Sequence, residues 1–168
     1  MSTSEHKSKA PRNLKIGIIS VSTTRRLEED KSGLWIAKRA RKEGHSVVSH
    51  VVVPDKTYAI TAALRACIET DVPHAVLVTG GTGISEKDVT IEAVKPLLDK
   101  ELTGFAALFA QLSFEEIDSA AIMSRAVAGV RGKTAVFCMP GSLKACKLAC
   151  KALIFPELGH IAKHVSTG

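Results

Sequence analysis

The chain has 168 residues, 45% of them hydrophobic and 24% charged, the balance of one compact domain rather than of a disordered or fibrous chain. A domain of this length buries about 70% of the surface its unfolded chain exposes, so it can hold a core without disulfides or structural metal. Lys and Arg number 23 against 17 Asp and Glu, a net charge of +6 that favours anionic partners, but aromatic residues make up only 4%, too few for a base-stacking nucleic-acid surface.

Residues 1–13 are Ser-rich and carry Lys7, Lys9 and Arg12 against Glu5, with no apolar periodicity. They read as a flexible basic tail, which leaves 14–168 as the domain. No apolar leader follows the tail, and no run approaches the roughly 18 residues of a membrane span, so a cytoplasmic protein without membrane contact is expected. Lys15 to Val21 is a short β-branched run of the kind buried on both faces of a parallel sheet. Asp30 and Ser32 offer N-cap oxygens to an amphipathic helix that Gly44 stops, its Lys38 to Lys42 cluster reading as the wet face. Val47 to Val53 reads as a strand, Tyr58 to Glu69 as a helix and Ala75 to Val78 as a strand. Thr90 to Leu98 and Phe105 to Leu112 follow as helices. Thr134 to Met139 is a buried strand closed by Pro140-Gly141, after which Ser142 can cap a last helical region.

This alternation calls for an α/β fold of three layers, α/β/α, with a mostly parallel sheet covered by helices on both faces. Ligands of such sheets sit beyond the carboxyl ends of the strands. The four cysteines, Cys67, Cys138, Cys146 and Cys150, contain no C-x-x-C pair and read as reduced core thiols, with Cys146 and Cys150 on one inward helix face. His160 and His164 lie four apart on a helix, but the zinc-peptidase pattern is missing, so they read as a solvated face.

The richest segment is Thr79-Gly80-Gly81-Thr82-Gly83-Ile84-Ser85-Glu86-Lys87-Asp88-Val89-Thr90, which leaves a buried strand and enters a helix. Glycines there let backbone amides converge on an anion, and Asp88 would be useful by holding Mg²⁺ between carboxylate and phosphates. Two structural alternatives stay open: the glycines only make a tight turn with Asp88 or Thr90 as helix cap, and Asp55 only starts the helix near Thr57. The segment lacks the third glycine of the dinucleotide fingerprint. Gly132-Lys133-Thr134 lacks the first glycine of a Walker A loop, since Val127 stands there.

Several blocks occur together: Asp30-Lys31-Ser32-Gly33, Val53-Pro54-Asp55, the Thr79 to Ala93 segment, Leu112 to Ile117, Ser124 to Gly129, and Met139 to Ala145. In this set and order the chain resembles the MoaB/MogA family of molybdenum-cofactor biosynthesis proteins, closest to its MoaB branch, over roughly Lys15 to Pro156. The resemblance implies a molybdopterin-binding domain that adenylylates molybdopterin with ATP and Mg²⁺ before metal insertion. It also allows a noncatalytic protein that binds and delivers the pterin. By similarity Asp55 and Asp88 are the catalytic, Mg²⁺-holding pair. Ser22, Thr79, Gly80, Gly81, Thr82, Gly83 and Lys87 would contact phosphates or nucleotide, while Ser113, Pro140, Gly141, Ser142 and Lys144 would line the pterin side. The family often has Arg where Lys87 stands, and a lysine lacks the bidentate fork. The resemblance further implies trimers or dimers of trimers, with part of the apolar Phe105 to Phe109 run buried between subunits. The pathway's metal-insertion enzyme is an implied partner.

Overall fold

The computed structural model describes residues 11–167; most of the expected tail, residues 1–10, lies outside them. Six strands and six α-helices alternate: β1 (Lys15–Val21), α1 (Lys31–Lys42), β2 (Ser46–Val53), α2 (Thr57–Ala66), β3 (Ala75–Thr79), α3 (Thr90–Val94), β4 (Lys100–Glu101), α4 (Thr103–Ile117), β5 (Val127–Arg131), β6 (Thr134–Met139), α5 (Leu143–Ala149) and α6 (Phe155–Ser166). The strands form one sheet in the order β2-β1-β3-β6-β5-β4. β2, β1, β3 and β6 run parallel, and β5 is antiparallel to both of its neighbours.

The strands at the centre are almost wholly apolar because both faces are covered: all five residues of β3 and all six of β6 are buried, with Thr79 and Thr134 their polar members. Strand alternation then sorts the core into two. Ile16, Ile18, Leu77 and Phe137 pack with Ile36 of α1, Phe109 of α4, Ala149 of α5 and Leu158 of α6. Ile19, Val21, Val76, Val78 and Val136 pack with Ile60 and Leu64 of α2 and Val94 of α3. The three-layer expectation is met. β1 and β6 have the bounds read from the sequence, Asp30 caps α1 through Gly33 N–H, Gly44 ends it at φ 88°, and Ser142 caps α5.

Three features correct the sequence reading. β5 and β4 are additional strands. β5 carries Ala128 and Gly129 where apolar bulk would signal a strand, and a Cβ at Gly129 would run into the Lys100 carbonyl of β4. α4 is longer than Phe105–Leu112, because Glu115 and Glu116 continue it on the exposed side to Ile117. The segment from Thr90 is α-helical only to Val94; Lys95–Leu97, with Pro96 inside it, tightens into a 3₁₀ turn.

The chain leaves β1 toward β2 on one side, whereas β3 lies on its other side. The carboxyl ends of β1 and β3 therefore flank a switch in strand order, the place where open α/β sheets leave a crevice. Among the described residues, no helix is long and apolar enough to cross a membrane.

Candidate functional site

The loops that follow β1, β2, β3 and β6 meet at that crevice. Gly80 and Gly81 leave β3 at φ 97° and 66°, a backbone that side-chain-bearing residues resist. A Cβ on Gly80 would run into the Val21 carbonyl of β1, and Gly141 after β6 leaves only 3.1 Å between its own Cβ position and Gly80 Cα. The turn is fastened at each end: Gly80 N–H donates to Met139 O (3.0 Å), Thr90 Oγ donates to Gly80 O (2.7 Å) and Thr90 N–H donates to Gly81 O (2.9 Å). Thr79 Oγ donates to Pro140 O at 3.1 Å, joining the β3 and β6 ends.

Both acidic residues face this turn. Asp55 Oδ2 accepts from Thr23 N–H (2.8 Å) and Thr23 Oγ (2.7 Å), and its Oδ1 lies 3.4 Å from where a Gly81 Cβ would stand. Asp88 Oδ2 accepts from Ser85 N–H (2.9 Å) and Ser85 Oγ (2.7 Å), and its carboxylate would touch a Gly83 Cβ. The Ser85 hydroxyl, helped by backbone donors and the Arg125 charge, holds the Asp88 carboxyl below its ordinary range, so it is an anion at neutral pH. Neither aspartate is a helix cap: α2 is preceded by Lys56 and α3 by Val89, with no side-chain cap bond at either. The helix-cap alternative therefore does not account for these two carboxylates.

Of the other expected residues, Ser22 directly follows β1, its Oγ accepting from Arg25 N–H at 3.2 Å, and Lys87 stands exposed on the glycine loop beside Asp88. Ser113, Pro140, Ser142 and Lys144 line a separate small cavity of about 120 Å³, with Ser124 and the apolar Phe109 and Leu148. Lys144 Nζ lies 3.5 Å from Glu116 Oε2 across that cavity. Pro140 lines that cavity, and the next residue, Gly141, packs against Gly80 of the glycine loop.

Two groups that the sequence reading did not place in the site support it. Arg125 Nε donates to the carbonyls of Thr82 and Gly83, both at 3.0 Å, while its guanidinium grips Glu92 (2.6 and 3.2 Å). All peptides here are trans, so carbonyls turned to Arg125 leave the amide hydrogens of Gly83 and Ile84 facing the other way. The loop carbonyls are thus held on the Arg125 side, and the Gly83 amide faces the Asp88 carboxylate. Thr82 is buried, and its Oγ has no hydrogen-bond partner among the described residues, an uncommon cost for a native interior and a place for a ligand oxygen.

The second group lies below the crevice. Asp30, only 2% exposed, accepts from the Ser20 hydroxyl, from Gly33 N–H (3.0 Å) and meets His50 Nε2 (2.8 Å). Burial alone would raise its carboxyl pKa, but these bonds outweigh burial and hold it low. One turn on, Ser32 Oγ donates to Gly141 O at 2.8 Å. The Asp30-Lys31-Ser32-Gly33 block thereby ties β1, β2, α1 and the β6 turn together. Its Asp is legible from sequence as a helix cap, but its partners at positions 20 and 50 are not.

The arrangement suits Mg²⁺, which takes one or two carboxylates and completes its shell with phosphates and water rather than with a full protein cage. Among the described residues, no group of three or more His, Cys, Asp or Glu could hold a metal by itself. Residues 17–160 match the family model described as a probable molybdopterin binding domain. The chain belongs to this family. A relative named molybdenum cofactor biosynthesis protein B from Bacillus cereus is 46% identical over 162 residues, 96% of each chain, and its Escherichia coli K12 namesake is 46% identical over 144 residues, 86% of this chain and 85% of the other. Among solved structures, a molybdenum cofactor biosynthesis protein B superposes with a TM-score of 0.92 at 43% identity, covering 95% of this chain and all of the other. A tungsten cofactor synthesizing protein MoaB from Pyrococcus furiosus gives 0.84 at 40%, covering 93% of this chain and 99% of the other. The glycine loop, both aspartates and Arg125 lie inside the stretch that this molybdopterin-binding family model spans.

Proposed function

We propose that the chain acts in molybdenum cofactor biosynthesis by adenylylating molybdopterin with Mg-ATP. The observation that carries this reading is that Asp55 and Asp88, on loops from two different strands, face one glycine turn, each carboxylate within contact distance of where a Gly81 or Gly83 Cβ would stand. In this reading the pterin's terminal phosphate oxygen attacks the α-phosphorus of ATP, the new P–O bond forms, and the bond to the β-phosphate oxygen breaks to release pyrophosphate. Bound Mg²⁺ supplies charge neutralisation to the phosphates. Asp55 and Asp88 would hold the ion. The Gly80-Gly81-Thr82-Gly83 turn would bind and align phosphate oxygens, and Lys87 would add a positive charge at the rim. Ser113, Ser142 and Lys144 would hold polar groups of the pterin in the adjoining cavity. The exposed apolar residues Leu108, Phe114, Ile117, Ile122 and Met123, on and after α4, support self-association of the expected trimeric kind.

The test is to incubate the protein with molybdopterin, ATP and Mg²⁺ and to measure pyrophosphate and adenylylated pterin. Asp88→Asn should cut turnover by about 10²-fold or more without loss of fold. Pterin binding with no pyrophosphate from the unaltered protein would replace catalysis with binding and delivery.

A further inference from the structure

A cavity of about 690 Å³ lies away from the crevice, at the amino end of β6. Its floor is apolar, with Leu102, Val130, Ile161 and Val165, and His160 and His164 of α6 stand in its wall. Their Nε2 atoms are 3.0 Å apart and their ring centroids 4.7 Å apart. A straight N–H···N bond of that length would put the centroids about 5.3 Å apart, since each lies about 1.15 Å behind its nitrogen. The rings therefore do not meet in a straight hydrogen bond; their planes stand at 63° and both Nε2 atoms lie on the inner side of the pair.

Two imidazoles bound to one ion at about 2.05 Å place their nitrogens about 2.9 Å apart at a right angle and about 3.35 Å apart at the tetrahedral angle. A separation of 3.0 Å corresponds to an angle of about 94°, and that angle puts the centroids about 4.7 Å apart, which is the spacing in the structure. Behind His160, Glu157 Oε2 lies 3.4 Å from Nδ1. A carboxylate there keeps the ring proton on Nδ1 and presents Nε2 as the lone pair, the outer-shell arrangement of metal-bound histidines. His164 is exposed, and its own proton can move to Nδ1, so both rings can ligate while neutral.

We propose that His160 and His164 form a two-histidine site for a divalent first-row ion of cis, square or octahedral preference, Cu²⁺ or Ni²⁺ rather than Zn²⁺. Its remaining positions open to the cavity, where Lys100 and Lys133 favour an anionic co-ligand such as a carboxylate. The site is independent of the adenylylation chemistry.

The experiment is titration of the full chain with Cu²⁺ and Ni²⁺ alone, by calorimetry and by electron paramagnetic resonance for copper. One equivalent should bind with coupling to two imidazole nitrogens, and Ni²⁺ should bind more tightly than Zn²⁺. His164→Ala should weaken binding at least tenfold and Glu157→Gln by about tenfold, with thermal unfolding of the metal-free His164→Ala protein unchanged. Unaltered affinity, or a surviving two-imidazole signal in His160→Gln/His164→Ala, would overturn the site. Preference for Zn²⁺ would overturn its geometry.

Discussion

Asp30→Asn probes the framework beneath the crevice with the least change of shape. The native carboxylate takes Gly33 N–H on one oxygen and Ser20 and His50 on the other. Asparagine has one acceptor oxygen, so it keeps either the helix cap or the Ser20 and His50 side, never both. Charge-assisted bonds contribute about 1.5–3 kcal/mol each, and an acceptor lost in a buried site leaves its donors unsatisfied. The expected loss is about 3 kcal/mol, or about 6–12 °C in thermal midpoint for a domain of this size. The folded carboxyl is held below its ordinary value of 3.8, so this stabilisation is complete above that value and disappears as the pH falls through the lower folded one. Urea and thermal unfolding of both proteins should therefore show the same gap at pH 7 and pH 5 and a shrinking gap below about pH 4. A gap under about 1 kcal/mol at pH 7, or one that does not begin to shrink below about pH 4, would refute the role given to Asp30.

Gly80→Ala should destabilise by about 2–4 kcal/mol in chemical denaturation, because φ 97° strains any side chain and the Cβ meets the Val21 carbonyl. Arg125→Lys should lower pyrophosphate release about tenfold while stability moves by less than about 1 kcal/mol, since a lysine cannot grip two carbonyls and Glu92 together; full activity in that variant would show that the carbonyls need no restraint. Burial pushes the thiols of Cys67, Cys138, Cys146 and Cys150 upward, so none should react with a disulfide reagent within minutes in the native protein, and all four should react in urea. Rapid labelling of Cys138 or Cys150 without urea would contradict their burial.

The parallel half of the sheet was legible because a strand covered on both faces is apolar at nearly every position, and β1 and β6 stand out as such runs. The antiparallel half was hidden for the opposite reason. β5 contains small residues chosen for close approach to β4, and β4 has two residues, so pairing rather than composition defines them. In the site, the glycine turn and its aspartates could be picked out because loops concentrate unusual residue types in a few positions. Arg125 and the Asp30, Ser20 and His50 group could not, since their meaning comes from partners 10 to 43 positions away that only the folded sheet brings together. The histidine pair was read as a solvated face. Helical spacing places the two rings near each other but does not reveal that their Nε2 atoms come within 3.0 Å, nor that a carboxylate backs one of them.

The crevice draws its walls from positions as far apart as Ser22 and Gly141, so it exists only when the late strand β6 has taken its place between β3 and β5. A growing polypeptide cannot hold its ligand until nearly the whole chain has been made. Anything that binds there acts as a keystone: it should slow hydrogen exchange together in β1, β3 and β6 rather than in one loop, and the unfolding that it opposes is that of the entire sheet.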